Sequence, residues 1–264
     1  MPDALELTTE EIEALDPYSF LAALGKKVVR PGGMKSTQQL FDLAAIRPED
    51  KVLDVGCGVG STGIEMAKRF GCEVRLLDHS ELMVDESRRN VEAAGVADKV
   101  TIDLGDILKL PYDDETFDVV VIEAVTMFVD RYMAVRELKR VLKPGGRLLD
   151  QEFVWRNRPD ERALEILKQP KMCPGIDFDD VRDWQGLFER AGYVKLRSVV
   201  GPFQLMHPRE FVRDEGGRNS LRIVGRMFSR LAYMKKALWL GRNIVTIMPS
   251  LGYIVLYAEK PAAD

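Results

Sequence analysis

Three glycines at alternate positions, Gly56, Gly58 and Gly60, follow directly on the run Val52-Leu53-Asp54-Val55. Glycine at such a place lets the backbone turn sharply and lets a ligand approach the main chain. A helix starting there presents its unpaired N–H groups to the same ligand. Asp78 closes the next apolar run, 18 residues after Gly60. A carboxylate at that place can accept both ribose hydroxyls of a nucleoside lying across strand ends. Asp54, two residues before the first glycine, can attract a positively charged α-amino group. Gly105-Asp106-Ile107 follows a third run, where a carboxylate and neighbouring backbone can hold an adenine amine. Gly58, Gly60 and Gly63 also spell G-x-G-x-x-G, the dinucleotide fingerprint. Nicotinamide-dependent hydride transfer therefore stays open at this point, as does a nucleoside-binding regulatory protein without transfer activity.

The elements that must position these groups alternate in type. KVLDV (51–55), EVRLLD (73–78), KVTIDL (99–104), FDVVVIEA (117–124) and RLLDQEFVW (147–155) are strand-like, with helical stretches after the first, second and fourth, the last of them stopped by Lys143-Pro144-Gly145-Gly146. FDVVVIEA is a continuous apolar run, as a strand buried on both faces requires. Alternation of this kind means βαβ units and a parallel sheet. The last third departs from it. A helix near 179–191 leads to YVKLRSVV (193–200), residues 203–248 are largely helical, and GYIVLYAEK (252–260) closes the chain. That order predicts an antiparallel pair at one sheet edge. Ahead of the core, Thr8 and Glu11 stand at capping-box spacing, Asp16-Pro17 starts a short helix that Gly25 can stop, and Ser36 is the expected N-cap of a helix through Ile46. The expected organisation is one domain over 1–264: an N-terminal helical cap or lid (1–47), a core (48–202), a helical insertion (203–248), and a last strand and tail (249–264).

Bulk properties narrow the partners. A chain of 264 residues with 46% hydrophobic residues can bury a full core, and a net charge of −4 disfavours nucleic acid. No apolar run reaches the roughly 20 residues that span a bilayer, and MPDALELTTEEIEALD lacks the apolar core of an export signal. Cys57, Cys72 and Cys173 show no C-x-x-C spacing, so no metal site is expected and a reduced cytoplasm fits. Arg209–Arg242 holds nine Lys/Arg and three Asp/Glu, with Arg218, Arg222, Arg226 and Arg230 recurring every four residues. A basic amphipathic segment of this kind can contact an anionic membrane surface, cover a lipophilic acceptor, or stay solvated.

VLDVGCGVG, LLDHSELM, GDILKLPYDDETFDVV and ELKRVLKPGGRLL together resemble the successive motifs of class I S-adenosylmethionine-dependent methyltransferases, nearest the branch of ubiquinone/menaquinone, sterol and small-molecule enzymes. The resemblance covers about residues 36–200 and includes WQGLFERAGY (184–193). It implies an α/β, Rossmann-like sheet of seven strands, mostly parallel with the last strand antiparallel, and helices on both faces. It implies S-adenosyl-L-methionine as donor, S-adenosyl-L-homocysteine as product, and a small-molecule or lipophilic acceptor. By that resemblance Asp54, Gly56, Cys57, Gly58 and Gly60 border the methionine part, Asp78 holds the ribose, His79 and Met83 border the adenine, and Asp106 with Ile107 holds its edge. Glu123, just after the fourth strand, sits near the sulfonium and the acceptor. Candidate bases for an acceptor proton are Glu123 and Glu152 and, after them, His207 and Tyr18. The acceptor side is assigned to Tyr18, Gly32, Gly33, Met127 and Cys173, with Pro31-Gly32-Gly33 either an ordinary turn or a segment folding over donor and acceptor.

Overall fold

The computed structural model describes residues 7–172, 178–205 and 207–263. Cys173 lies outside the described residues. One sheet of seven strands organises the chain: β1 Lys51–Val55, β2 Glu73–Asp78, β3 Val100–Leu104, β4 Phe117–Glu123, β5 Leu142–Trp155, β6 Val194–Pro202 and β7 Leu251–Glu259, in the spatial order β3-β2-β1-β4-β5-β7-β6. The first five strands pair in parallel, with Val52 opposite Val74 on one side and Val119 on the other. β7 runs against its neighbours. Gly145 and Gly146 bond with Lys260 while Arg156 bonds to Ser250, so rising numbers on β5 meet falling numbers on β7. On the other side Phe203 bonds to Leu251 and Lys195 pairs with Glu259. The sheet is therefore mostly parallel with one antiparallel strand, as expected. The last strand in sequence is not the edge in space, because it lies between β5 and β6.

The chain divides into two compact units. The larger comprises 35–153, 179–200 and 254–264. Its core is the central sheet: Val119, Val120, Val121 and Ile122 of β4 are fully buried, as the apolar run predicts. Helices pack around that sheet: α4 Ser61–Phe70, α5 Glu81–Ala94, α6 Arg131–Val141 and α8 Val181–Arg190. Short polar side chains start three of them. Ser80, Asp130 and Asp180 each accept a backbone N–H of the first turn. Trp184 of α8 is buried, donates its indole N–H to the Phe153 carbonyl, and stacks under the Arg131 guanidinium, which in turn pairs with Asp179.

The smaller unit comprises 1–34, 154–178 and 201–253. It contains α1 Thr9–Ala14, with the expected Thr8–Glu11 capping box, and α2 Pro17–Ala23, capped by Asp16. It also holds α7 Glu161–Leu167, α9 Pro208–Phe228 and α10 Leu231–Ile247. α9 kinks at Gly216, where φ is +73°. A buried ion pair fastens α9 to the N-terminal segment: Lys26 Nζ lies 3.1 Å from Glu215, whose carboxylate also accepts from the N–H groups of Lys27 and Val28 and from Asn219. The four spaced arginines do not share one environment. Arg226 donates to the Ala23 carbonyl and Arg230 to that of Leu7, while Arg218 and Arg222 are exposed.

Two boundaries differ from expectation. α3 spans Gly33–Ala44, so it starts before Ser36, and Ser36 is a buried helix-interior residue whose hydroxyl donates to Gln151. β5 starts at Leu142 and runs through Lys143-Pro144-Gly145-Gly146, which the turn-like composition marks as a stop; the pairing with β4 shifts register there, between Phe117 and Val119.

Candidate functional site

The carboxyl ends of β1, β2 and β4 carry the glycine turn and the acids. Gly56 and Cys57 donate their N–H groups to the Leu77 carbonyl, tying the turn to the tip of β2. Gly56 adopts φ +68°, and a Cβ there would stand 2.4 Å from Val125 Cγ2, so only glycine fits. Gly58 meets the opposite condition, for nothing lies within 4 Å of where its Cβ would be. That open side is where a ligand can reach the main chain. Gly63, the last glycine of the fingerprint spacing, lets α4 pack on β2, because a Cβ would strike Leu76.

Asp78 organises the turn without help from any ligand. Its Oδ2 accepts the Gly58 N–H at 2.9 Å and its Oδ1 accepts the Ser80 N–H at 3.0 Å. A carboxylate offers about four lone-pair sites, so each oxygen keeps acceptor capacity for a ribose hydroxyl. Asp54 is buried on β1. His79 presents an 88% exposed side chain, and Met83 is half-buried on α5 behind Ser80. Asp106 is exposed and accepts the Leu108 N–H through Oδ1, while Ile107 is buried beside it. The tips of β2 and β3 are joined by a bond from Gly105 N–H to the Asp78 carbonyl. Burial and neighbouring acids push the Cys57 thiol well up, so it is a small spacer in the turn rather than a thiolate nucleophile.

Beyond β4 the chain makes a strained turn. Ala124 has φ +58°, its N–H bonds to the Gln151 carbonyl, and a 3₁₀ turn over Thr126–Phe128 follows, with Met127 buried in it. Glu152 of β5 has no exposed surface, and its Oε1 accepts the N–H groups of Val125 and Thr126 and the Thr126 hydroxyl, at 2.9, 2.7 and 2.6 Å. Burial pushes its carboxyl up to about 7, and burial with the Glu152 charge pushes neighbouring Asp150 well above the usual range. Glu123 accepts from the hydroxyls of Thr62 on α4 and Thr37 on α3, at 2.6 and 2.7 Å. The buried Gln151 amide nitrogen has no hydrogen-bond partner among the described residues. Thr37, Thr62, Thr126 and Gln151 are thus site neighbours that sequence reasoning missed; lone threonines in helices and turns carry no spacing signal.

The larger unit therefore brings together Asp54, Gly56, Cys57, Gly58, Gly60, Asp78, His79, Met83, Asp106, Ile107, Glu123, Met127 and Glu152. Tyr18, Gly32, Gly33 and His207 belong to the smaller unit. There Gly33 has φ +59° and adjoins the buried Asp214 carboxylate, and His207 is the exposed N-cap residue of α9 with no side-chain capping bond. A groove of about 520 Å³ opens at the opposite ends of the strands, around Lys143–Arg147. Its charges are largely paired, Arg147 with Asp50 and Lys143 with Asp118.

The strand order, the antiparallel β7, and a glycine turn facing an acid at the tip of β2 are those of a class I, Rossmann-like methyltransferase fold. The family described as Methyltransferase domain matches residues 52–146. The 27-O-demethylrifamycin SV methyltransferase of Amycolatopsis mediterranei is 30% identical over 236 residues, 85% of this chain and 82% of that protein. Methyltransferase GfsG of Streptomyces halstedii is 29% identical over 87% of this chain and 81% of its own length. Among solved structures, Haemonchus contortus phosphoethanolamine N-methyltransferase 2, in complex with phosphomonomethylethanolamine and S-adenosylhomocysteine, matches with a TM-score of 0.69 at 19% identity, over 98% of this chain and 59% of that one. The chain belongs to the S-adenosylmethionine-dependent methyltransferases, with S-adenosyl-L-methionine as methyl donor.

Proposed function

We propose that this methyltransferase acts on a hydroxyl of a lipophilic small molecule, and that its donor lies along the tips of β1, β2 and β4. The observation that carries the donor site is Asp78, which holds Gly58 in place while keeping lone pairs available beside the open face of that glycine. Asp78 then receives the ribose hydroxyls, Asp54 the α-amino group, and Asp106 with Ile107 the adenine edge. His79 and Met83 flank the adenine. The hydroxyl assignment is supported by the relative that methylates 27-O-demethylrifamycin SV, which this chain matches over most of both lengths.

The donor supplies a methyl group on a sulfonium that is already activated. What remains for the protein is alignment of the acceptor in line with the breaking C–S bond and exclusion of water, which can contribute roughly 7–11 kcal/mol. As the new C–O bond forms, the hydroxyl proton passes to a base. Glu123 is the better placed carboxylate for that task, since it is half-buried at the end of β4, where the hydroxyls of Thr37 and Thr62 orient it. Glu152 is enclosed and occupied by three donors, which supports a positioning role: it holds the Ala124–Thr126 turn, and with it Val125 over Gly56. Met127 of that turn, with Tyr18, Gly32 and Gly33, is assigned to the acceptor side from sequence position.

Incubation with methyl-labelled donor and a panel of lipophilic alcohols, phenols and amines tests the assignment. Label in ether products supports it. Label only in amine or carbon products overturns the hydroxyl assignment while leaving methyl transfer intact.

A further inference from the structure

Residues 216–247 contain seven Lys/Arg and no Asp/Glu, in a chain whose net charge is −4. The structure divides these cations between two jobs. Arg226, Arg230 and Lys236 donate to carbonyls of Ala23, Leu7 and Glu13 within the smaller unit. Arg218, Arg222, Lys235 and Arg242 are exposed. On α10 the exposed residues fall at Leu231, Lys235, Leu238, Arg242 and Val245, spacings of four, three, four and three that keep them on one face. The opposite face, Ala232, Tyr233, Lys236, Leu240 and Ile247, is buried. The outward face therefore alternates large apolar side chains with cations, and its apolar members are 61, 70 and 67% exposed. The second half of α9 repeats the device, with Leu221, Val224 and Phe228 along one exposed strip and Arg218 and Arg222 beside it. A helix pair meant only for solvent would carry acids among its cations and would not expose leucine and phenylalanine at these levels.

We infer that the outer faces of α9 and α10 form a docking surface for an anionic lipid bilayer, the apolar side chains entering the acyl boundary while Arg218, Arg222, Lys235 and Arg242 meet the headgroups. Charge complementarity selects lipid as the occupant: an acid-free face within an otherwise acidic chain is matched by a surface of uniform negative charge. No helix among the described residues is long and apolar enough to cross a membrane, so the contact is peripheral. This inference is independent of which acceptor is methylated.

Vesicle co-sedimentation of the full chain tests it, comparing phosphatidylcholine alone with phosphatidylcholine containing phosphatidylglycerol. Binding to the anionic vesicles at least ~10-fold above the neutral ones is expected, falling as salt rises. Leu231→Gln with Leu238→Gln and Val245→Gln should abolish it, and Arg218→Gln with Lys235→Gln and Arg242→Gln should remove the preference for anionic lipid. Unchanged S-adenosylhomocysteine binding in both triple variants verifies that they fold. Near-background sedimentation with both vesicle types overturns the inference, as does anionic binding that the apolar triple variant retains or an anionic preference that the cation triple variant retains. A dimer seen by sedimentation velocity in the absence of lipid and dissolved by the apolar triple variant also overturns it, since the face would then belong to a second copy.

Discussion

Exchanging Glu152 for glutamine separates a clamp from a base. Burial raises the carboxyl from an ordinary 4.5 to about 7. A carboxyl raised by folding penalises the folded chain only when ionised. The penalty is absent well below pH 4.5, where folded and unfolded chains are both protonated, and it grows as pH climbs to about 7. Across that window it amounts to about 3 kcal/mol. Glutamine keeps a carbonyl oxygen for the Val125 and Thr126 donors and carries no charge; removing that charge also relieves Asp150. Glu152→Gln should therefore melt close to wild type at pH 5 and roughly 6 °C or more above it at pH 8, by scanning fluorimetry in matched buffers. Glu152→Ala strands two buried N–H groups at roughly 1–3 kcal/mol each and should melt lower at both pH values. It should also weaken S-adenosylhomocysteine binding, because the turn that seats Val125 against Gly56 loses its anchor. A difference between wild type and Glu152→Gln that is the same at pH 5 and pH 8 refutes the account of burial. Loss of transfer in Glu152→Gln with product binding intact would restore Glu152 as the base.

Asp78→Asn leaves one oxygen where the carboxylate used two, so S-adenosylhomocysteine affinity should fall roughly 10- to 100-fold, the equivalent of one charge-assisted bond; calorimetric affinity within twofold of wild type would exclude it as the ribose partner. Gly56→Ala forces a side chain at φ +68° into Val125, which costs about 1–2 kcal/mol for the backbone alone; a melting temperature and product affinity both equal to wild type would contradict that packing. Lys26→Met leaves the Glu215 carboxylate buried without its cation, and urea unfolding should register about 3 kcal/mol lost. A loss below ~1 kcal/mol would show that the Lys27 and Val28 N–H groups and Asn219 suffice.

The strands were legible because their chemistry is local. Short apolar runs ending in glycines or acids mark β1 and β2, and the three valines and isoleucine of β4 could hardly lie anywhere but the centre of a sheet. Serine and aspartate caps marked helix starts for the same reason. What depended on distant partners was not legible. Ser36 resembles a cap by type, yet it lies inside α3 bonded to Gln151, a residue more than a hundred positions away. α7 is seven residues long, too short for a periodic signal. The arginine row reads as one stripe, but carbonyls of the N-terminal segment draw Arg226 and Arg230 inward. In the site, glycines and acids announced themselves by spacing. The bonds of Glu123 to Thr37 and Thr62 and of Glu152 to Thr126 were invisible, because a threonine's partner is decided by the sheet and not by its neighbours in sequence.

The wedge position of β7 governs how this chain matures. Until residues 251–259 leave the ribosome, β5 and β6 border an empty slot whose peptide groups on both sides lack their mates. The sheet is sealed by the last of its seven strands in sequence. Loss of residues 251–259 would consequently leave two open sticky edges in place of one trimmed end.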